Sequence, residues 1–112
     1  MHELSICNSM LAIVRKHAQG RDVLTVHVQI GAMRQIVPDT LVYCWSLVTE
    51  RSDLEGTELQ VERVPAKIRC TNCGFEQVLD EFVMACASCS GHAVDLVEGN
   101  EFLITSLDLA EV

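Results

Sequence analysis

Two Cys-x-x-Cys pairs, Cys70-Thr71-Asn72-Cys73 and Cys86-Ala87-Ser88-Cys89, stand twelve residues apart. Each pair closes a tight turn, which lets two sulfurs converge on one ion. Thiolate is a soft donor, and zinc asks only for four close ligands. The spacing therefore predicts a four-coordinate Zn(II) site with no open position, which is a structural site. Gly74 and Gly91 follow the two pairs, where backbone at φ > 0 is expected. A disulfide framework would need an oxidising compartment, and no basic stretch followed by an apolar one marks a secretory leader. A redox site needs only one pair. A segment this short cannot build a sufficient core alone, so it is expected to fold around its metal.

The rest of the chain reads as alternating helix and strand. Leu4, Cys7, Leu11, Val14 and Ala18 recur at helical period, with Ile6, Met10 and Ile13 widening the stripe. Gly20 is the expected stop. Val23 to Ile30 alternates, with Leu24, Val26, Val28 and Ile30 on one face and Thr25, His27 and Gln29 on a solvated one. Pro38 opens a second helix carrying Leu41, Cys44, Trp45 and Val48. Thr57 to Val64 alternates again, with Leu59 and Val61 inward. Glu101 to Leu109 resumes strand character, with Leu103, Thr105, Leu107 and Leu109 on one face. Cys7, Cys44 and Trp45 read as core, and His17, His27 and His92 as ordinary surface histidines. Between the Cys pairs, Phe75, Val78, Leu79, Phe82 and Val83 are expected to form short strands over the metal.

The fold class that follows is α+β. A small three-stranded sheet is covered by two helices, with a four-cysteine zinc-ribbon module inserted between its second and third strands. The expected boundaries are 1–64 with 101–112 for the α/β domain and 65–100 for the zinc-binding domain. A net charge of -8 over 112 residues argues against nucleic acid or an anionic membrane as partner. No apolar run approaches the roughly 20 residues of a membrane span, and a cytoplasmic protein is expected. No nucleophile–base pair and no Gly-rich phosphate loop is present, so no enzyme is expected.

The N-terminus offers a second metal site. In Met1-His2-Glu3, the α-amine, the His2 amide and the His2 imidazole can chelate one ion through a five- and a six-membered ring. A planar, nitrogen-rich set suits Ni(II) or Cu(II). Glu3 can add a fourth donor through its amide or its carboxylate. Any chain with a histidine at position two shares this pattern, and the context is what makes it specific. The opening Met1-His2-Glu3-Leu4-Ser5, the helix-strand-helix-strand unit, Ile30-Gly31-Ala32, the two Cys pairs and Gly99-Asn100-Glu101 together resemble the HypA family of hydrogenase nickel-incorporation metallochaperones. The resemblance spans the whole chain. It implies a nickel site at Met1, His2 and Glu3 with His2 essential, and a structural zinc at Cys70, Cys73, Cys86 and Cys89. It also implies work with the GTPase HypB in delivering nickel to the large subunit of [NiFe]-hydrogenase, and in some members to urease maturation. Relatives whose zinc coordination changes with pH carry histidines flanking the Cys motifs; here only His92 is close. The rival reading is a zinc-ribbon adaptor for another protein, with an inert N-terminus.

Overall fold

The computed structural model describes residues 3–79 and 83–111. Those residues form two compact units. The first comprises 3–29, 36–62 and 103–111; the second comprises 30–35, 63–79 and 83–102.

In the first unit, helix α1 (Glu3–Ala18) buries Cys7, Met10, Leu11, Val14 and Ala18 along one stripe. Glu3 lies in its first turn and Arg15, Lys16 and His17 in its last, each the sign that the helix macrodipole favours. The helix ends at Ala18, and Gln19 already takes left-handed backbone (φ 53) ahead of Gly20. Helix α2 (Pro38–Thr49) starts with Pro38 in its first turn, where a missing N–H costs nothing. It buries Leu41, Trp45 and Thr49, one residue per turn. The Trp45 indole N–H donates to the Thr57 carbonyl at 2.9 Å, and the Thr57 hydroxyl donates to the Val23 carbonyl at 2.7 Å. Those two bonds satisfy buried polar groups and pin the turn after α2 to the sheet.

Strands β1 (Val23–Gly31), β2 (Glu58–Val64) and β6 (Phe102–Leu109) form a sheet of order β2-β1-β6. Ala110 N–H donates to Asp22 O at one end and Gly31 N–H to Glu101 O at the other, so β1 and β6 run antiparallel. Three expectations fail at strand and helix margins. Leu24 is 56 % exposed while Val23 is buried, so the apolar face of β1 begins one residue early and resumes at Val26. On β6, Leu103 and Thr105 are exposed and Phe102 and Ile104 half-buried; the inward face changes parity before Leu107 and Leu109. Leu4 and Ile13 of α1 are likewise exposed. His27 is not simply solvated: its Nε2 lies 2.8 Å from Asp108 Oδ2.

The second unit holds its own sheet, order β4-β3-β5, from β3 (Lys67–Cys70), β4 (Glu76–Val78) and β5 (Val94–Glu98). Both pairings are antiparallel, with Ile68 opposite Gln77 on one side and Leu96 on the other. Ile68 is buried, and Arg69 and Lys67 reach Glu76 across the β3–β4 pair. Arg69 first and Lys67 second hold the Glu76 carboxyl below its ordinary range. Phe75, Val78 and Val83, expected over the metal, are exposed instead, and Phe82 lies outside the described residues. Strand β4 has only three residues, so it offers little surface to pack them against. Segment 30–35, which the boundary at residue 65 does not include, belongs here. Met33 N–H donates to Gly99 O and the Arg34 Nε–H to Asn100 O.

Candidate metal centre

Two turns with one backbone pattern build the site. In the first, Cys70 N–H donates to Phe75 O and Gly74 N–H donates back to Cys70 O. In the second, Cys86 N–H donates to Gly91 O and Ser90 N–H donates back to Cys86 O. The equivalent fifth residues, Gly74 (φ 76) and Ser90 (φ 63), both take left-handed backbone. The positive φ expected at Gly91 therefore falls one residue earlier, on a serine. Gly91 is small for another reason: a Cβ there would meet Cys89 Sγ and Asn72 Nδ2, each at 3.3 Å.

These turns bring the four sulfurs of Cys70, Cys73, Cys86 and Cys89 within 4.8 Å of one another. Cys70–Cys89 and Cys73–Cys86 Sγ separations are both 3.6 Å. Four Zn–S bonds of ~2.3 Å in a tetrahedron place sulfurs about 3.8 Å apart. Those two separations already match that edge, and the four sulfurs are grouped closely enough to converge on one ion. Cys70 and Cys86 are buried and Cys73 and Cys89 exposed, so each turn offers one inner and one outer ligand.

The thiols are electrostatically uneven. The N–H groups of Cys73 and Asn72 face the Cys70 sulfur and, against the opposing effect of burial, bring it down to about 6. The Gly91 N–H pulls Cys89 down as well, but the Cys70 and Cys86 sulfurs, burial and Cys73 outweigh it and raise that thiol to about 11. One negative charge settles easily on this cluster, and further ones are resisted by sulfurs a few ångströms away. A dication removes that resistance, which is the chemistry a four-thiolate donor set asks for.

Two supporting residues were not legible in the chain. Gln77 of β4 accepts the Ala87 N–H at 2.8 Å, fixing the tip of the second turn. Thr71 binds Ala93 O through both its N–H and its hydroxyl, each at 2.8 Å, tying the first turn to the approach of β5. Only the pairing register brings these together. His92 is exposed and lies outside the sulfur cluster. Cys7 is fully buried on α1, and its thiol donates to Leu41 O at 3.5 Å, a core role. Among the described residues the four cysteines are the one cluster of metal-ligating side chains. Met1 and His2 lie outside the described residues; Glu3 is buried at the start of α1. Among the described residues, no helix is long and apolar enough to cross a membrane.

Comparison with known proteins extends over the same length. A family profile described as hydrogenase/urease nickel incorporation, metallochaperone, hypA matches residues 1–109. The hydrogenase maturation factor HypA of Geobacter metallireducens is 37 % identical over 109 residues, covering 97 % of this chain and 99 % of that protein. That of Nostoc punctiforme is 35 % identical over 112 residues, covering 100 % and 98 %. Among solved structures, the solution structure of the Ni metallochaperone HypA from Helicobacter pylori superposes with a TM-score of 0.68 at 23 % identity, covering 97 % of each chain. A second solution structure of a HypA protein gives 0.71, also at 23 % identity, over 98 % of this chain and 97 % of that one.

Proposed function

This chain belongs to the HypA family of hydrogenase/urease nickel-incorporation metallochaperones, and from that premise we propose that it carries Ni(II) on the chelate formed by Met1, His2 and Glu3. The family consists of metallochaperones acting in hydrogenase maturation, not enzymes. The observation that carries the reading is a family match running from residue 1, through Met-His-Glu, to residue 109.

The local backbone supports it. Glu3 opens α1, and N–H groups in the first turn of a helix have no intrahelical acceptor. The Glu3 amide is thus not committed to the helix ladder and can serve as a donor to a metal. The positive end of the helix macrodipole favours the deprotonated amide but opposes a dication. The balance is a site of moderate affinity, which a protein that must release its cargo requires. Nickel is the cargo, and its ligands are few and at a chain end.

The four cysteines take the second role. Zn(II) bound by Cys70, Cys73, Cys86 and Cys89 cross-links the two turns and supplies folding energy to a unit with little core of its own. Nickel passes, on this reading, to the hydrogenase large subunit in concert with the GTPase HypB, and in some cells to urease maturation factors. The work is cytoplasmic, where thiols stay reduced.

The test uses chain with a native N-terminus. Titration with Ni(II) is expected to give the absorption band of planar, nitrogen-bound nickel. His2→Ala, or acetylation of the α-amine, abolishes that band and leaves zinc content unchanged, because acetylation removes the amine's lone pair as a donor. Nickel bound by the acetylated chain with the same spectrum and affinity would overturn the assignment and return attention to His17, His27 and His92.

A further inference from the structure

The two turns of the metal centre are not held alike. The first grows out of the sheet: Cys70 is the last residue of β3 and pairs with Val94 of β5. Thr71 adds its two bonds to Ala93 O. The second turn has no such root, because residues 83–93 lie in no helix or strand. The backbone bonds of Ala85 N–H to Val83 O, Cys86 N–H to Gly91 O and Ser90 N–H to Cys86 O all close within that segment. Among the described residues, two kinds of polar link reach from 83–91 to the rest of the unit. One is the sulfurs, and the other is the Ala87 N–H, which donates to Gln77 Oε1 at 2.8 Å.

Gln77 stands on firm backbone. Beside it, Glu76 is gripped by Arg69 and Lys67. Further along, Leu79 N–H donates to Ala66 O at 2.8 Å. Opposite Gln77 on β3 is the buried Ile68, so the two side chains share a face of the sheet. Between β4 and the second turn lies an open cleft of about 710 Å³, walled by Val78 and Leu79 on one side and Ala85, Ser90 and His92 on the other. A turn that faces a cleft gains little from packing, so one hydrogen bond to a fixed strand weighs heavily in its position.

We propose that Gln77 is a positioning residue for zinc: it holds the Cys86–Cys89 turn against the Cys70–Cys73 turn, and zinc leaves by release of the Cys86–Cys89 side first. The inference rests on the four-cysteine zinc reading. A thiolate that lets go of the ion returns quickly only while its turn stays near, because rebinding depends on its effective concentration at the metal. Gln77 keeps that concentration high for the less anchored turn. Exposure favours neither side, since each turn carries one buried and one exposed cysteine.

The test follows zinc transfer from the zinc-loaded full chain to excess pyridylazoresorcinol. Gln77→Met keeps the side chain's length and removes its carbonyl acceptor; Gln77→Ser is too short to reach Ala87; Gln77→Glu keeps an acceptor. Loss of one ordinary hydrogen bond should let zinc leave Gln77→Met and Gln77→Ser about three- to tenfold faster, with Gln77→Glu near wild type. Thr71→Val removes a side-chain bond of the same 2.8 Å length, but the Thr71 N–H still reaches Ala93 O, so its rate should stay near wild type. A general loosening of the unit would touch both turns. Positioning of one turn instead predicts faster hydrogen exchange at the Ala87 amide and none at Gly74. As zinc leaves wild type, iodoacetamide should mark Cys89 before Cys73, and Gln77→Met should widen that lead. Unchanged zinc release in both Gln77→Met and Gln77→Ser, equal acceleration in Thr71→Val, or Cys73 marked first would overturn the proposal while leaving the zinc site standing. A wild-type chain without stoichiometric zinc would overturn the zinc reading itself, and this proposal with it.

Discussion

Replacing Gly31 by alanine tests a contact rather than a conformation. Gly31 has φ -72 and ψ 146, extended backbone that any residue adopts. Yet a Cβ built there stands 2.1 Å from both the carbonyl carbon and oxygen of Gly99, and 2.5 Å from Asn100 N. Non-bonded carbons rest at about 3.5–4.0 Å, so the two backbone segments must part by more than about 1 Å. Gly99 has no room behind it, since its own Cβ position is 2.5 Å from Ala66 Cα. Parting breaks Gly31 N–H to Glu101 O at 2.7 Å and Met33 N–H to Gly99 O at 2.8 Å. Two backbone hydrogen bonds contribute roughly 1 kcal/mol each, and forced overpacking costs about 1–3 kcal/mol. The expected loss is about 3–5 kcal/mol, local to the segment where 30–35 meets 99–101. Hydrogen exchange at the Met33 amide reads it directly. In the zinc-loaded Gly31→Ala protein, protection there should fall by about two orders of magnitude or more, at ~1.4 kcal/mol per tenfold. Gly20→Ala is the control: its φ is +82 but nothing lies within 4 Å of an added Cβ. It should cost only about 1–2 kcal/mol of left-handed strain and leave Met33 protection unchanged. Met33 protection within threefold of wild type in Gly31→Ala would refute the steric reasoning.

Three further outcomes follow from the structure. Replacing both Cys70 and Cys73 by alanine should abolish zinc binding, as read by a chromophoric chelator after denaturation; stoichiometric zinc in that variant would disprove the four-sulfur site. Trp45→Phe removes the only donor to a buried Thr57 carbonyl among the described side chains and should destabilise the first unit by about 1–3 kcal/mol in urea denaturation. An unchanged midpoint would show that water takes the donor's place. The buried Cys7 thiol is raised from 9.0 to about 11 by burial, with Cys44 and Glu3 adding to it. As pH rises, the unfolded chain loses that proton first, so stability should decline between about pH 9 and 11. Cys7→Ala should flatten that part of the pH–stability curve; an identical slope would assign the alkaline loss to other groups.

Much of this was legible from residues alone, and the reason is local chemistry. The four cysteines carry their own spacing rule, because two Cys-x-x-Cys turns need nothing distant to aim their sulfurs inward. The stripes of α1 and α2 follow from period, since a residue such as Val14 or Trp45 has one buried side whatever lies against it. Pro38 marked the start of α2 because its ring has few other places to sit.

Faces at the margins were another matter. Period two says that Leu24 and Val26 share a side, but burial of each depends on what is packed over it, and Leu24 is left 56 % exposed. The parity change along β6 and the exposure of Phe75 and Val78 have the same origin. Left-handed backbone at Ser90 was hidden because glycine, the usual signal for it, stands one position away. The pairing of Gln77 with Ala87 spans ten residues, and that of His27 with Asp108 spans 81. Gly31 against Gly99 likewise depends on segments far apart in the chain. Which residues could bind metal, and which turn into helix or strand, is determined by the sequence, because bond geometry and neighbouring side chains act within a few positions. Which of those residues meet across the molecule was decided only by tertiary packing, because a contact's geometry depends on both partners and on the strand register between them.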